Sequence, residues 1–169
     1  TDGQLFLQTE LFPAGVRPAV NPGISVSRVG GNAQIKAMKK VSGTLKLLYS
    51  QYRELQSFAQ FGSDLDADTK ARLDQGERIV EVLKQDRNSP IAVELQVAII
   101  YAVVNNMLKD IAAKDIHSFE EGLFEYLSAS RDALLAKIRD TGVLDSETEA
   151  ELKDAINHFK GKFLTKSEG

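Results

Sequence analysis

Residues 33–60 read AQIKAMKKVSGTLKLLYSQYRELQSFAQ, and this stretch decides the fold. Its apolar side chains recur at steps of three or four, at Ile35, Met38, Val41, Leu45, Leu48, Tyr52, Leu55 and Phe58. That spacing puts them on one face of a long α-helix, which needs other helices to cover it. Asn32 is the predicted N-cap, and the turn residues 62–64 are predicted to end the helix.

Four further helices are predicted, over residues 67–84, 91–108, 118–138 and from residue 146 onward. The second of these is apolar on nearly every side and is therefore expected to be a buried central helix. Cap signals precede all four: Asp66, Ser89-Pro90, and the Ser-x-x-Glu capping boxes at 118–121 and 146–149. Five helices joined by short loops predict a mainly α fold, a bundle of about five helices.

Residues 1–31 differ from the rest of the chain because they are rich in proline and glycine. Short strands are predicted at Leu5–Leu7 and Ile24–Val29, with turns between them. Two such strands are marginal alone in water, so they are expected to belong to a sheet whose other strands lie elsewhere. We therefore predict an incomplete domain over 1–31 and a helical domain over 32–169. The start at Thr1, without a methionine, is interpreted as that of a fragment.

Composition excludes several function classes. The chain has 24 acidic and 21 basic residues, for a formal charge of −3, which argues against general nucleic-acid binding. It has no cysteine and two histidines, so thiol chemistry, disulfides and multi-histidine metal sites are excluded. Its longest apolar run, which ends at Val104, is far shorter than the about 20 residues of a membrane span. His117 and His158 are interpreted as structural, and no metal site is predicted.

Three groups of residues are candidates for contacts with a ligand or a partner. Arg17 and Arg28 lie in turn-rich stretches without a local acid, where a guanidinium suits phosphate but can equally be an ordinary surface group. Lys36, Lys39 and Lys40 form a basic helix face that is solvated or turned to phosphate or an acidic partner. The acidic loop 62–68 lacks the EF-hand ligand pattern and is interpreted as an interhelical turn or a contact loop. Gly30-Gly31 is not followed by Lys-Ser/Thr and is no Walker A motif.

Four stretches resemble one family. They are TDGQLFLQTELF (1–12), GVRPAVNPGISVSRVGG (15–31), YRELQSFAQFGSDLD (52–66) and QVAIIYA (96–102). Together they are similar to the alpha-subunit family of F-type rotary ATP synthases, over almost the whole chain. The resemblance implies that residues 1–31 are the end of a truncated P-loop nucleotide-binding domain and that the helical C-terminal domain follows. It also implies a subunit with a regulatory, non-catalytic nucleotide site, in an enzyme that couples proton or sodium-ion flow to ATP synthesis or hydrolysis.

The resemblance gives roles to individual residues. Arg28, in the SVSRVG motif, is expected to reach in trans into the catalytic site of a beta subunit as an arginine finger, and Ser25 to shape the same turn. Phe12, Arg17, Pro18, Gln85 and Arg87 are expected to flank the adenine end of the subunit's own ATP or ADP, bound with Mg. The family often has Gln-x-Gln where this sequence has Gln85-Asp86-Arg87, which leaves the contacts to adenine open.

The resemblance also implies partners and a location. These are the beta and gamma subunits of the catalytic hexamer, with the loop 62–68 near gamma. The complex is expected to be peripheral to a membrane, on the cytoplasmic side of the bacterial plasma membrane or its mitochondrial or chloroplast equivalent. The fragment alone is expected to be inactive. Two alternatives stay open: a regulatory subunit of a V-type or archaeal-type ATPase, and a free-standing helical scaffold protein.

Overall fold

The computed structural model describes residues 1–60 and 65–167, and this part of the chain is mainly helical. Its seven α-helices are α1 (Arg28–Ala33), α2 (Lys36–Ala59), α3 (Ala67–Leu83), α4 (Val93–Val104), α5 (Ile116–Ser130), α6 (Asp132–Thr141) and α7 (Ser146–Ser167). A short 3₁₀ helix, Ala113–Asp115, precedes α5. The two strands are β1 (Gly3–Gln4) and β2 (Val26–Ser27). The predicted mainly α fold is confirmed.

Helix α2 buries the predicted face over most of its length, because Met38, Val41, Leu45 and Tyr52 are all buried. Phe58 is 72 % exposed, so its assignment to the core was wrong. The N-cap assignment to Asn32 was also wrong, because the residue preceding α2 is Ile35, whose side chain makes no capping hydrogen bond. The carbonyl of Gly142, beyond α6, instead accepts a hydrogen bond from the Ala37 backbone N–H at 2.9 Å.

The core lies around α4, which packs against α2, α3, α6 and α7. Val97, Ala98 and Ala102 of α4 are fully buried, which confirms the predicted central helix. Glu94 in its first turn is buried too, and its carboxylate forms an ion pair with Arg139 of α6 at 3.0 Å. A buried carboxylate needs such a partner because burial removes its hydration.

The predicted helix over 118–138 is two helices, which is the main reason that the number of helices differs from five. Arg131 leaves the helical conformation, with φ −136°, and separates α5 from α6. A continuous helix would place Arg131 one turn beyond the buried Leu127. Because the helix breaks at Arg131, the guanidinium does not enter the core there. Leu134, Leu135 and Ile138 of α6 enter the core instead.

Of the four caps predicted for α3, α4, α5 and α7, one is confirmed and three need correction. Helix α4 begins at Val93, after Ala92, and has no side-chain cap, so the predicted cap at Ser89-Pro90 was wrong. The Asp66 carboxylate accepts a hydrogen bond from Thr69 N–H at 2.8 Å, as expected for the cap of α3. Helix α5 begins at Ile116, before the predicted box at 118–121. At α7 the cap is Asp145, whose carboxylate accepts from Thr148 N–H at 2.8 Å and whose pKa is lowered by that bond.

The N-terminal segment, residues 1–33, forms its own small sheet. β1 and β2 are antiparallel, with Gly3 opposite Ser27 and Gln4 opposite Val26. The predicted strands at 5–7 and 24–29 were therefore misplaced, because Leu7 makes only an isolated bridge to Val20 and the second strand gives way to α1 at Arg28. The end of the second strand has a local cause: Ser27 Oγ accepts from Gly30 N–H at 3.0 Å and so caps α1.

This segment is fastened to the helices at few points and leaves much apolar surface exposed. Leu11 is buried, and Lys46 Nζ of α2 donates to the Ser25 carbonyl at 3.0 Å. Leu5, Leu7 and Val29, however, are each more than two-thirds exposed. None of the described helices is long and apolar enough to cross a membrane.

Candidate functional site

The five residues expected at the nucleotide line one open cleft. Phe12, Arg17 and Pro18 come from the N-terminal segment, and Gln85 and Arg87 from the loop between α3 and α4. Asp86 is the sixth lining residue, and the volume of the cleft is about 750 Å³. The backbone N–H of Gln85 donates to the Arg17 carbonyl at 2.9 Å and joins the two walls. Residues almost 70 positions apart therefore meet in one cleft.

The cleft combines an aromatic ring with two arginines and one aspartate. The Arg17 guanidinium lies over the Phe12 ring, with Cζ 4.3 Å from the ring centroid, which is cation–π geometry. The Arg17–Pro18 peptide bond is cis. Gln85 Nε2 donates to the Ser89 carbonyl at 2.9 Å, and this bond orients its side-chain amide. The Arg87 guanidinium makes no ion pair within the described part of the chain.

This residue set fits the base end of a nucleotide better than its triphosphate. Phe12 and Pro18 offer apolar surface for an aromatic base, while the amide and guanidinium groups offer donors. The printed sequence contains no GxxxxGK[ST] motif, so this chain supplies no phosphate-binding loop of that kind. No group of three metal-ligating side chains stands close together within residues 1–60 and 65–167.

Arg28 lies apart from this cleft, at the first position of α1. Its side chain is exposed and forms no ion pair with a described residue. Its backbone is held firmly, because its N–H donates to the Asp2 carbonyl at 3.3 Å and the Asp2 carboxylate accepts from Val29 N–H at 2.6 Å. That hydrogen bond from Val29 is the main cause that lowers the pKa of Asp2. Sequence reasoning missed the anchoring by Asp2, since nothing local connects the two residues.

Ser25 is engaged by its own chain. Its Oγ accepts a hydrogen bond from Phe6 N–H at 3.0 Å and donates one to the Asn21 carbonyl at 2.5 Å. The hydroxyl therefore holds the turn that leads into β2 and α1.

The remaining candidates lie elsewhere. His117 is exposed and 3.4 Å from the Glu121 carboxylate, and the His158 ring stacks on Tyr126 with centroids 5.8 Å apart. Residues 62–64 of the acidic loop lie outside the described residues, and its described end, Leu65–Asp68, leads into α3. Of the predicted basic face, Lys40 forms an ion pair with Glu149 of α7, and that pairing lowers the pKa of Glu149.

The sequence matches the family described as ATP synthase alpha/beta chain, C terminal domain, over residues 34–159. It is 56% identical over 163 residues to "ATP synthase subunit alpha, sodium ion specific" of Acetobacterium woodii, which covers 96% of this chain and 32% of that protein. It is 57% identical over 164 residues to "ATP synthase subunit alpha" of Clostridium botulinum Eklund 17B, which covers 97% and 32%. The chain thus spans about a third of the length of these curated relatives.

Proposed function

Because the chain belongs to the family of ATP synthase alpha/beta C-terminal domains, we propose that it is part of the alpha subunit of an F-type rotary ATP synthase. The observation that carries this proposal is the identity of 56–57% to proteins named as alpha subunits, which extends over 96–97% of the chain. In the complete complex this subunit takes part in coupling proton or sodium-ion flow to ATP synthesis or hydrolysis.

Arg28 would be the group that this chain gives to catalysis. Phosphoryl transfer gathers negative charge on the equatorial oxygens, and a fixed guanidinium stabilises that charge in the transition state. Three features support this role: an exposed side chain, no competing ion pair among the described residues, and a backbone held by Asp2. The acceptor would be the nucleotide on a neighbouring beta subunit.

The cleft at Phe12 would hold the base end of a second nucleotide, ATP or ADP with Mg, that is bound but not turned over. Its aromatic ring, its proline and its two arginines support this assignment. The phosphate loop and the metal ligands would come from parts of the subunit beyond the printed sequence. Arg87, where the family often has glutamine, would cover the base with its planar guanidinium.

The two assignments can be tested together in the assembled complex with a pair of arginine variants. We expect Arg28→Ala to lower kcat by at least about 10³-fold while nucleotide affinity at the catalytic site changes little. Arg87→Ala should instead weaken retention of the non-exchanging nucleotide, with kcat nearly unchanged. Lys36→Ala, on the exposed start of α2, is the control. Equal losses of kcat and catalytic-site affinity in Arg28→Ala would mark Arg28 as merely structural.

The beta and gamma subunits are the proposed partners, and through them the chain would be peripheral to a membrane, on the cytoplasmic side in a bacterium. The exposed apolar residues of the N-terminal segment support burial against further protein. Reconstitution with beta and gamma should protect Leu5, Leu7 and Val29 from hydrogen exchange at their amides. Unchanged exchange in a complex of full size would count against this packing.

A further inference from the structure

Asn21 is a buried polar residue in a segment that buries little else. It is 7% exposed, and both ends of its side-chain amide are used. Nδ2 donates to Gln8 Oε1 at 2.9 Å, and Oδ1 accepts from Gly23 N–H at 2.9 Å. Its backbone N–H donates to the Phe6 carbonyl at 2.9 Å, and its carbonyl accepts from Ser25 N–H at 3.2 Å. One residue thus joins the stretch 6–8 to the turn 21–25.

The turn 21–25 lies against α2. A Cβ on Gly23 would stand 2.9 Å from Ser50 Oγ and 3.5 Å from Cδ1 of the buried Tyr49, so the backbone itself approaches the helix closely there. Lys46 Nζ, about one helical turn before Ser50, donates to the Ser25 carbonyl at 3.0 Å. The turn is therefore attached to the helical bundle as well as to the stretch 6–8.

Arg28 follows this turn after only two residues, and those two are the strand β2. Because an extended chain advances about 3.3 Å per residue, Arg28 begins within about 10 Å of Ser25. The strand is paired with β1 and Ser27 caps α1, so no loop lies between the turn and Arg28 to absorb a displacement. A shift of the turn would therefore reach the guanidinium, and a misplacement of about 1 Å can cost a reaction about 10²-fold in rate.

We propose that Asn21 is a positioning residue for Arg28, an inference that rests on the catalytic role proposed for Arg28 above. The buried amide holds the turn 21–25 in one conformation, and the turn sets the place of β2 and of the first residue of α1. Asn21→Ala leaves Gly23 N–H and Gln8 Oε1 without their partner inside the fold, so the turn loses that conformation. The guanidinium is then still present but no longer where the transition state needs it.

The test is made in the assembled complex, with and without Arg28. Asn21→Ala should lower kcat about 10- to 100-fold and leave the KM for ATP within about threefold of the parent, because the guanidinium acts in the transition state. Arg28→Ala alone should lower kcat by at least about 10³-fold. Adding Asn21→Ala to it should change kcat by less than about twofold, because no guanidinium is left to misplace. Gln8→Ala, which removes only the acceptor of Nδ2, is the milder variant and should behave in the same way with a smaller effect.

Leu11→Ala is the control for a merely structural role. Leu11 is the buried apolar residue of the same segment, and its side chain takes no part in the turn, so the variant loosens the segment but keeps the hydrogen bonds of Asn21. It should lower the melting temperature of the complex at least as much as Asn21→Ala does and keep kcat within about threefold of the parent.

Three results would overturn the inference: parent kcat in both Asn21→Ala and Gln8→Ala, effects that multiply with that of Arg28→Ala, or an equal loss of kcat in Leu11→Ala. Parent kcat in Arg28→Ala would overturn the catalytic role of Arg28 and this inference with it, so the two failures are distinguishable.

Discussion

Glu120 is a carboxylic acid inside the helical bundle, on α5, with only 5% of its surface exposed. Burial raises the pKa of its carboxyl from 4.5 to about 7, although His117 nearby opposes the shift. The folded chain therefore keeps this proton over a pH range in which the unfolded chain has lost it. Stability from this group is complete below the unfolded pKa and is lost as the pH rises towards about 7.

Glu120→Gln should remove this loss of stability at neutral and alkaline pH. A glutamine has nearly the same shape and never ionises, so the free energy of unfolding of the variant should exceed that of the parent by about 2 kcal/mol at pH 8. The two values should converge below pH 4.5. Urea unfolding at several pH values measures the difference, and Glu125→Gln, an exposed site on the same helix, is the control. A difference that does not depend on pH would contradict the raised pKa.

At the scale of elements, the contact between α2 and α3 depends on the absence of one side chain. A Cβ on Gly76 would lie 2.0 Å from Cδ2 of Tyr52, which is far inside van der Waals contact. The two helices can approach this closely only with glycine at that position. The contact at Gly122, between α5 and α7, is less strict, because a Cβ there would stand 2.7 Å from Cζ at the far end of the Phe159 ring, which can shift aside.

Gly76→Ala should destabilise the fold by about 2 kcal/mol, because overpacking a tight contact costs more than the helix gains from alanine. Gly161→Ala is the matched control, since a Cβ on this α7 glycine would meet nothing within 4 Å. The control should be neutral or stabilising by up to about 1 kcal/mol. Chemical denaturation of both variants measures this, and equal effects at the two positions would refute the packing argument.

The helices and their caps could be predicted where nearby residues determine them. The predictions failed where contacts between distant residues determine them. The spacing of apolar residues predicted α2 and the buried α4, and the side chain of Asp66 predicted the start of α3. The cap of α2 comes from Gly142, about a hundred residues away, and no local pattern announces it. The break at Arg131 follows from what α6 must bury.

The candidate site was predictable only in part from the residues themselves. Turn-rich surroundings marked Arg17 and Arg28, but nothing in the sequence pairs Arg17 with Gln85. That pairing came from the family resemblance, and the structure brings the two walls together. The hydrogen bonds to Asp2 that hold the start of α1 arise from contacts between distant residues, so only a folded chain displays them.

At the scale of the whole molecule, the helical bundle and the N-terminal segment differ in how much apolar surface they bury. Apart from Leu11, the buried apolar residues in the described part of the chain begin at Ala37, within the bundle. The domain boundary predicted between residues 31 and 32 falls inside α1 and stays a prediction.

Deletion of residues 1–33 should therefore leave a helical protein that still unfolds cooperatively. We expect the melting temperature to fall by less than about 10 °C, chiefly from the lost burial of Leu11. Binding of the dye ANS should fall as well, because most of the exposed large apolar residues are removed. Calorimetry and fluorescence measure the two effects, and loss of the cooperative transition would mean that the segment is part of the core.

The hydrogen bond from the Gln85 backbone N–H to the Arg17 carbonyl attaches the N-terminal segment to the loop between α3 and α4 at the cleft that Phe12 lines. A molecule that binds both the N-terminal segment and the loop between α3 and α4 adds its binding free energy to the attachment of that segment. By thermodynamic reciprocity, the factor by which this molecule strengthens the attachment is the factor by which attachment of the segment raises the affinity for the molecule. The affinity measured at this cleft then also reports how stably the N-terminal segment, which carries Arg28, is attached to the helical bundle.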